Sequence, residues 1–142
     1  MIGVLVLSHY RLADEFVAAL RHIVGEVPHV RAMGVDPATT APEEMRAQID
    51  KAIREVDQGK GVLVLVDMFG GTPSNLSLSF LDEGRVEVVT GVNLPMLVKV
   101  ARQKSETGIH ELAELARDYG RRNISVASDL LSSREPGKKT AS

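Results

Sequence analysis

A histidine and an aspartate each stand at the end of a short apolar run in this chain of 142 residues. His9 closes the run that begins at Val4, and Asp67 directly follows residues 62–66. If a carboxylate accepts the N–H of one imidazole nitrogen, the other nitrogen keeps its lone pair for attack. The same carboxylate stabilises the positive charge that develops on the ring. The two residues therefore predict a nucleophilic histidine, His9, oriented by Asp67 and suited to accepting a phosphoryl group.

Each of these residues also has a purely structural interpretation. A histidine at a strand end can cap a neighbouring helix or face water, and Asp67 can cap the loop that it begins. An acidic residue at a strand end is also typical of proteins that are phosphorylated on aspartate. Those proteins need an acidic pair after the first strand to hold a metal ion, and here Ser8, His9 and Tyr10 stand there. An aspartyl acceptor is therefore disfavoured.

A glycine-containing segment follows Asp67 closely. Gly70 and Gly71 let the backbone turn tightly and approach a ligand, and Thr72 and Ser74 add hydroxyl groups. Free N–H groups at the start of the next helix favour an anion, so these four residues are the predicted phosphate-binding set. The alternative is a turn followed by an N-cap at Thr72 and a proline in the first helical turn, Pro73.

Three further residues are candidates for the rim of the site: Phe69, Asn75 and Asn93. Phe69 and its neighbour Met68 are candidates for contact with a protein partner, although burial in the core explains them equally well. Asn93 has a structural alternative as well, because it stands two residues before Pro95, where a helix boundary is expected.

Alternating apolar patterns predict the elements that bring these residues together. The expected strands cover residues 4–9, 27–35, 62–66 and 86–90, with a short final strand at 123–127; the expected helices cover residues 13–24, 42–58, 74–81, 95–102 and 109–119. Strands that alternate with helices predict an α/β fold with a doubly wound, mostly parallel sheet. The carboxyl ends of parallel strands share one edge, so His9 and Asp67 are expected to meet there.

Composition limits the class of protein. The chain is 44% hydrophobic and 25% charged with a net charge of −2, which excludes the basic surplus of a nucleic-acid-binding protein. It has no cysteine, no apolar run of membrane-spanning length and no signal-peptide pattern, so we expect a cytoplasmic protein that is not inserted in a membrane. One domain is expected over residues 1–127, followed by a polar, disordered tail over residues 128–142.

Three segments, in the same order and with similar spacing, resemble the mannose-type enzyme IIA family of the phosphoenolpyruvate-dependent sugar phosphotransferase system. They are the first strand ending in His9, residues 61–75 with Asp67 and the glycine pair, and residues 90–97. The resemblance covers roughly residues 1–124. It implies a flavodoxin-like fold and a protein-histidine phosphotransferase component. Family members are commonly homodimers in which a carboxyl-terminal strand crosses between subunits, a role that would fall to residues 123–127.

On this resemblance, His9 accepts a phosphoryl group from the phosphohistidine of the carrier protein HPr and passes it to a histidine of a IIB protein or domain. Asp67 orients His9, while Thr72 and nearby backbone amides contact the phosphoryl oxygens. These donors need no metal ion and no cofactor beside them. The sugar is not encoded, because a IIA domain handles only the phosphoryl group, and no residue distinguishes a transport role from a regulatory one.

Two other functions stay open. A phosphocarrier subunit that serves a dihydroxyacetone kinase has a similar domain and the same histidine chemistry with a different recipient. A non-catalytic module can hold a phosphate-containing ligand at residues 70–75, although the first strand lacks the Gly-x-Gly-x-x-Gly turn of dinucleotide-binding proteins. Such a module would be indifferent to the loss of His9.

Overall fold

The computed structural model describes residues 1–132, which form a four-stranded sheet covered by helices on both faces. The strands are β1 (Gly3–His9), β2 (Val30–Val35), β3 (Val62–Val66) and β4 (Val86–Thr90). All paired strands are parallel, and their order across the sheet is β2-β1-β3-β4. The predicted α/β class with a doubly wound parallel sheet is therefore confirmed.

Apolar residues on both faces explain why β1 and β3 occupy the centre of the sheet. Val4 and Val6 of β1 face one core, whereas the alternating Leu5 and Leu7 face the other. Every residue of β3 is buried. A continuous apolar run is the pattern of a parallel strand that is covered on both sides.

Six helices are present among the described residues. They are α1 (Leu12–Val24), α2 (Pro42–Val56), α3 (Thr72–Leu78), α4 (Leu94–Ala101), α5 (Ile109–Arg122) and α6 (Ala127–Ser132). Helices α1, α4 and α5 pack on the face that carries Val4 and Val6, and α2 packs on the opposite face, with Leu76 of α3 against the same core. None of the helices within residues 1–132 has the length and apolar character needed to cross a bilayer.

The strand order creates a switch point between β1 and β3. From β1 the chain moves to β2 on one side of the sheet, and it later returns to form β3 on the other side of β1. In open α/β sheets the crevice at such a reversal, beyond the carboxyl ends of the strands, is where ligands bind. His9 ends β1 and Asp67 follows β3, so both lie at this position.

Most predicted elements are present with small shifts at their ends. The predicted second strand is shorter than expected because the N–H of Val30 donates to the carbonyl of Val27 in a turn. Helix α2 ends at Val56, since Asp57 has an extended backbone. Helix α3 begins at Thr72 rather than after it: Gly71 is the N-cap, and no side chain caps this end.

The predicted strand at residues 123–127 is wrong for the single chain. Helix α5 continues to Arg122, and the backbone N–H of Ile124 donates to the carbonyl of Arg121. The N–H of Leu130 donates to the carbonyl of Val126 at the start of α6. These helical turns use backbone groups that a strand ladder would need. The predicted disordered tail is corrected for residues 128–132, which are helical, and its remainder, residues 133–142, lies outside the described residues.

A close backbone approach fixes the chain just beyond β1. Tyr10 has a φ of +50°, in the left-handed region, and its N–H donates to the carbonyl of Val35 at 2.8 Å. Gly34 of β2 pairs with Ser8 and packs directly against the carbonyl of Tyr10, so that an added Cβ would overlap that oxygen. The turn after His9 therefore depends on a residue without a side chain in the neighbouring strand.

We predict that Gly34→Ala lowers the free energy of unfolding by about 1–3 kcal/mol or more, the cost of forcing extra atoms into a packed site. Urea unfolding followed by circular dichroism measures this change. Gly108→Ala is the matched control, because a Cβ at Gly108 meets no atom within 4 Å. Equal stabilities of the two variants would contradict the role assigned to Gly34.

Candidate functional site

The side chains of His9 and Asp67 are in direct contact. Nδ1 of His9 lies 2.7 Å from Oδ2 of Asp67, and the backbone N–H of His9 donates to the same oxygen at 2.9 Å. The second carboxylate oxygen, Oδ1, accepts the backbone N–H of Met68 at 2.9 Å. The aspartate therefore holds both the ring and the backbone of the histidine, together with the loop that follows β3.

The surroundings of Asp67 keep it ionised. Its side chain is only 9% exposed, and this burial by itself would raise the pKa of the carboxyl group. The hydrogen bonds from the backbone and ring of His9, and that from the N–H of Met68, outweigh the effect of burial and leave the pKa of Asp67 below its usual value. An ionised carboxylate accepts hydrogen bonds only, so the hydrogen on Nδ1 belongs to the histidine.

The other ring nitrogen of His9, Nε2, makes no hydrogen bond to residues 1–132. The histidine side chain is 43% exposed, so this nitrogen can be reached from solvent. Gly71 lies against the ring: a Cβ there would stand 2.5 Å from Cε1 and 2.8 Å from Nε2. The absence of a side chain at Gly71 leaves room for a group on Nε2.

Ser8 supports the backbone of His9, a role that its residue type alone does not indicate. Its hydroxyl is buried, accepts the N–H of Ala13 at 2.6 Å and donates to the carbonyl of His9 at 3.1 Å. The N-cap residue of α1, Arg11, makes no side-chain cap bond, so Ser8 serves this helix end from three residues further upstream. The sequence offered one sign of this role, a serine directly before the histidine and close to the start of a predicted helix.

The predicted phosphate-binding residues lie in different environments. Gly70 is exposed with a φ of +92°, and Gly71 touches the ring of His9. Thr72 is partly buried, and its hydroxyl has no hydrogen-bond partner among the described residues. The hydroxyl of Ser74 is fully buried and also unpartnered. In this conformation solvent does not reach Ser74, so it does not fit the predicted contact with an incoming anion.

The predicted rim residues fall into two groups, exposed side chains and one helix cap. Phe69 is 70% exposed and Met68 is 55% exposed, so neither belongs to the core, and Asn75 is exposed on α3. Asn93 instead caps α4: its Oδ1 accepts the N–H of Met96 at 3.0 Å, and its Nδ2 donates to the carbonyl of Gly120 at 3.0 Å. Both polar atoms of Asn93 are engaged in joining α4 to α5.

The remaining histidines have different surroundings. His22 and His110 are exposed on helices, and His110 lies near Glu87 and Glu114. His29 is buried, its Nε2 donates to the carbonyl of Ala101 at 3.1 Å, and burial is the main cause that lowers its pKa. Within residues 1–132 no group of three or more histidine, aspartate or glutamate side chains is arranged to hold a metal ion.

The fold and the site define a class: an α/β protein of the flavodoxin-like strand order, with a histidine held by a carboxylate at its switch point. Comparison with known families agrees. The chain belongs to the EIIA-man family, whose model is described as "PTS system fructose IIA component" and matches residues 3–117. Membership supports a phosphocarrier role in a sugar phosphotransferase system.

Relatives and solved structures are consistent with this assignment. The chain is 33% identical over 128 residues to the mannose-specific EIIAB component of Escherichia coli K12, an alignment that covers 87% of this chain but only 38% of that relative. It is 30% identical over 112 residues to the sorbose-specific EIIA component of Lacticaseibacillus casei, covering 77% of this chain and 78% of that one. The mannose/sorbose-specific IIA subunit from Enterococcus faecalis superimposes with a TM-score of 0.78 at 27% identity, covering 88% of this chain and 93% of that structure.

We predict that neutral His9 carries its hydrogen on Nδ1, because that nitrogen donates to Asp67. Long-range ¹H–¹⁵N correlation spectra at alkaline pH report which ring nitrogen is protonated, and the exposed His22 supplies an internal reference. Asp67→Ala should remove the preference for the Nδ1–H tautomer. A neutral His9 that is protonated on Nε2 in the unsubstituted protein would contradict the geometry.

Proposed function

We propose that this chain is a phosphocarrier that accepts a phosphoryl group on Nε2 of His9 from phospho-HPr and passes it to a histidine of a IIB protein or domain. The observation that carries the proposal is the 2.7 Å contact between Nδ1 of His9 and Oδ2 of Asp67, which leaves Nε2 free on a solvent-accessible ring. Family membership supports the reaction type.

The transfer is an in-line displacement between two nitrogens. The lone pair of Nε2 attacks phosphorus, a new P–N bond forms, and the P–N bond of the donor breaks so that its electron pair returns to the donor imidazole. His9 keeps its hydrogen on Nδ1 throughout, so its ring becomes positively charged as the bond forms. The ionised Asp67, 9% exposed and in contact with Nδ1, stabilises that charge.

The phosphoryl oxygens need donors, and the turn beside the ring is the proposed source. Gly71 leaves space at Nε2, and Gly70 shapes the exposed turn that leads to it. We assign contact with the phosphoryl oxygens to the backbone N–H groups of Gly71 and Thr72 and to the Thr72 hydroxyl. Neutral and charged hydrogen bonds of this kind stabilise a transferring phosphoryl group without a metal ion.

A homodimer is the proposed assembly. Strand β4 ends the sheet and its residues are only partly buried, whereas the other edge strand, β2, has buried residues at both ends. A groove of about 430 Å³ runs beside β4 and is lined by residues that include Val89, His110 and Ile124. Ile124 is 75% exposed and Val126 is 63% exposed. Pairing of β4 with residues 123–126 of a second copy would cover the open edge and these apolar side chains. It requires the hydrogen bond from the N–H of Ile124 to the carbonyl of Arg121 to open.

We predict that His9→Ala abolishes phosphorylation and that Asp67→Asn slows it by about 10²-fold or more, because the carboxylate no longer orients and stabilises the ring. The chain is incubated with phosphoenolpyruvate, enzyme I and HPr, and an acid-labile, base-stable phosphate is measured on the protein. His22→Ala and His110→Ala are matched controls that should label like the unsubstituted chain.

Two results would overturn this assignment. Label that persists without His9 but disappears without Asp67 would indicate an aspartyl acceptor. Retention of a small phosphate-containing ligand, together with no labelling of any variant, would favour a binding module.

We predict that a charged side chain in the segment that pairs with β4 dissociates the proposed dimer. Val126→Lys places a charge on the segment that would pair with β4, so sedimentation should shift from dimer towards monomer without loss of helical circular dichroism. Ile23→Lys is the control, since Ile23 is a comparably apolar and exposed residue on α1. A monomeric unsubstituted chain at concentrations of about 100 μM would contradict the proposal, since specific dimers of standard interface size are tighter than this.

A further inference from the structure

Four large, exposed apolar side chains stand near His9 and Asp67 in the chain. Tyr10 is 62% exposed and Leu12 is 48% exposed on the β1 side, while Met68 and Phe69 are 55% and 70% exposed on the β3 side. All four lie within three residues of His9 or Asp67 in the chain. We call these four residues the apolar rim, because they belong to the two segments that leave the sheet beside His9 and Asp67. Exposed apolar residues gathered at one site are typical of an interaction surface.

Phe69 differs from the other phenylalanines of the chain. Phe16 and Phe80 are partly buried and pack against the two hydrophobic cores. Phe69 packs against neither core and is 70% exposed. Exposure of this ring in water is unfavourable by itself, so a surface that covers it gains free energy on binding.

The loop that carries Phe69 is coupled to the chemistry through one carboxylate. Oδ1 of Asp67 accepts the N–H of Met68, while Oδ2 accepts the two N–H groups of His9. The same side chain therefore positions both the reactive ring and the segment that displays Phe69. A partner that covers Phe69 is thereby aligned with Nε2.

The charge at the rim also fits an anionic partner group. Arg11 is exposed and lies over the Tyr10 ring, with its guanidinium carbon 5.6 Å from the ring centroid. Arg11 stands two residues after His9 in the chain, so this positive charge belongs to the turn that leaves the strand end carrying His9. A donor that presents an anionic phosphohistidine surrounded by apolar surface is complementary to this arrangement.

We propose that Phe69 is the anchor residue by which the donor protein docks, inserting into the apolar surface around the donor's phosphohistidine while Tyr10, Leu12 and Met68 exclude water from the transfer. This inference rests on the proposed function, because it names the surface that the phospho-HPr donor would contact. In protein interfaces a few central residues, often aromatic, carry most of the binding energy. The residues around them exclude water.

The experiment separates docking from chemistry by using two phosphoryl donors. Phosphorylation of His9 is measured in steady state with phospho-HPr, and separately with phosphoramidate, a small donor that requires no docking surface. Phe69→Ala should raise KM for phospho-HPr by about tenfold, the usual effect of truncating an aromatic anchor, with kcat nearly unchanged. Labelling by phosphoramidate should be unchanged. Phe69→Tyr, which keeps the ring, should restore KM.

Ile23→Ala is the matched control, because Ile23 is 49% exposed and lies in the last turn of α1, away from the start of that helix beside His9. An unchanged KM in Phe69→Ala would overturn the inference. Equal losses with both donors would overturn it as well, since Phe69 would then act on the position of His9 rather than on docking. An unsubstituted chain that is labelled by phosphoramidate but not by phospho-HPr would overturn the proposed function itself.

Discussion

The carboxylate of Asp67 is the constraint on which the site depends. It is nearly buried, it accepts three N–H groups from two segments of the chain, and it is the only link described between the ring of His9 and β3 within residues 1–132. A buried carboxylate is costly unless its oxygens are satisfied, and here the satisfied oxygens are also the ones that orient the imidazole. The same hydrogen bonds therefore make burial of the Asp67 carboxylate favourable and hold the imidazole of His9 in its orientation.

The sheet topology makes this contact possible. Val66 and Leu7 are register partners in the parallel ladder, and the N–H of Asp67 continues that ladder to the carbonyl of Leu7. His9 ends β1 two residues after Leu7, and Asp67 directly follows Val66, so both lie at the same edge of the sheet. β2 contributes from the other side of β1, because Gly34 lets the backbone of Tyr10 approach closely and turn away. Three strands thus determine the position of one ring.

Sequence reasoning succeeded where a local pattern had one physical outcome. The apolar runs of β1 and β3 had to be central strands, and their polar ends had to share an edge. It failed at residues 123–127, which were expected to form a short strand. In the single chain the N–H of Ile124 donates to the end of α5, and the carbonyl of Val126 accepts an N–H of α6. Ser74 shows another limit, since a hydroxyl near a glycine turn says nothing about which way it points.

Asn93 and Ser8 also show that residue type does not reveal a side chain's role. Asn93 was expected at the rim of the site and has a structural role, whereas Ser8 was not expected to contact the site and does. Asn93 was weighed as a rim residue, but its amide is used to cap one helix and hold another. Ser8 attracted no functional hypothesis, yet its hydroxyl links the start of α1 to the carbonyl of His9. Hydrogen-bond partners that are near in space cannot be read from residue type alone, because they depend on the turn that each backbone takes.

The position of the His9 ring at the carboxyl end of a central strand has a consequence for how the site is lost. Loops and chain ends open in local fluctuations, but central strands separate only when the whole domain unfolds. Since neither β1 nor β3 can separate without disrupting both hydrophobic cores, the strand ends that precede the His9–Asp67 contact stay together until the domain unfolds. The proposed phosphoryl transfer to His9 would therefore be lost together with the two central strands and not before them.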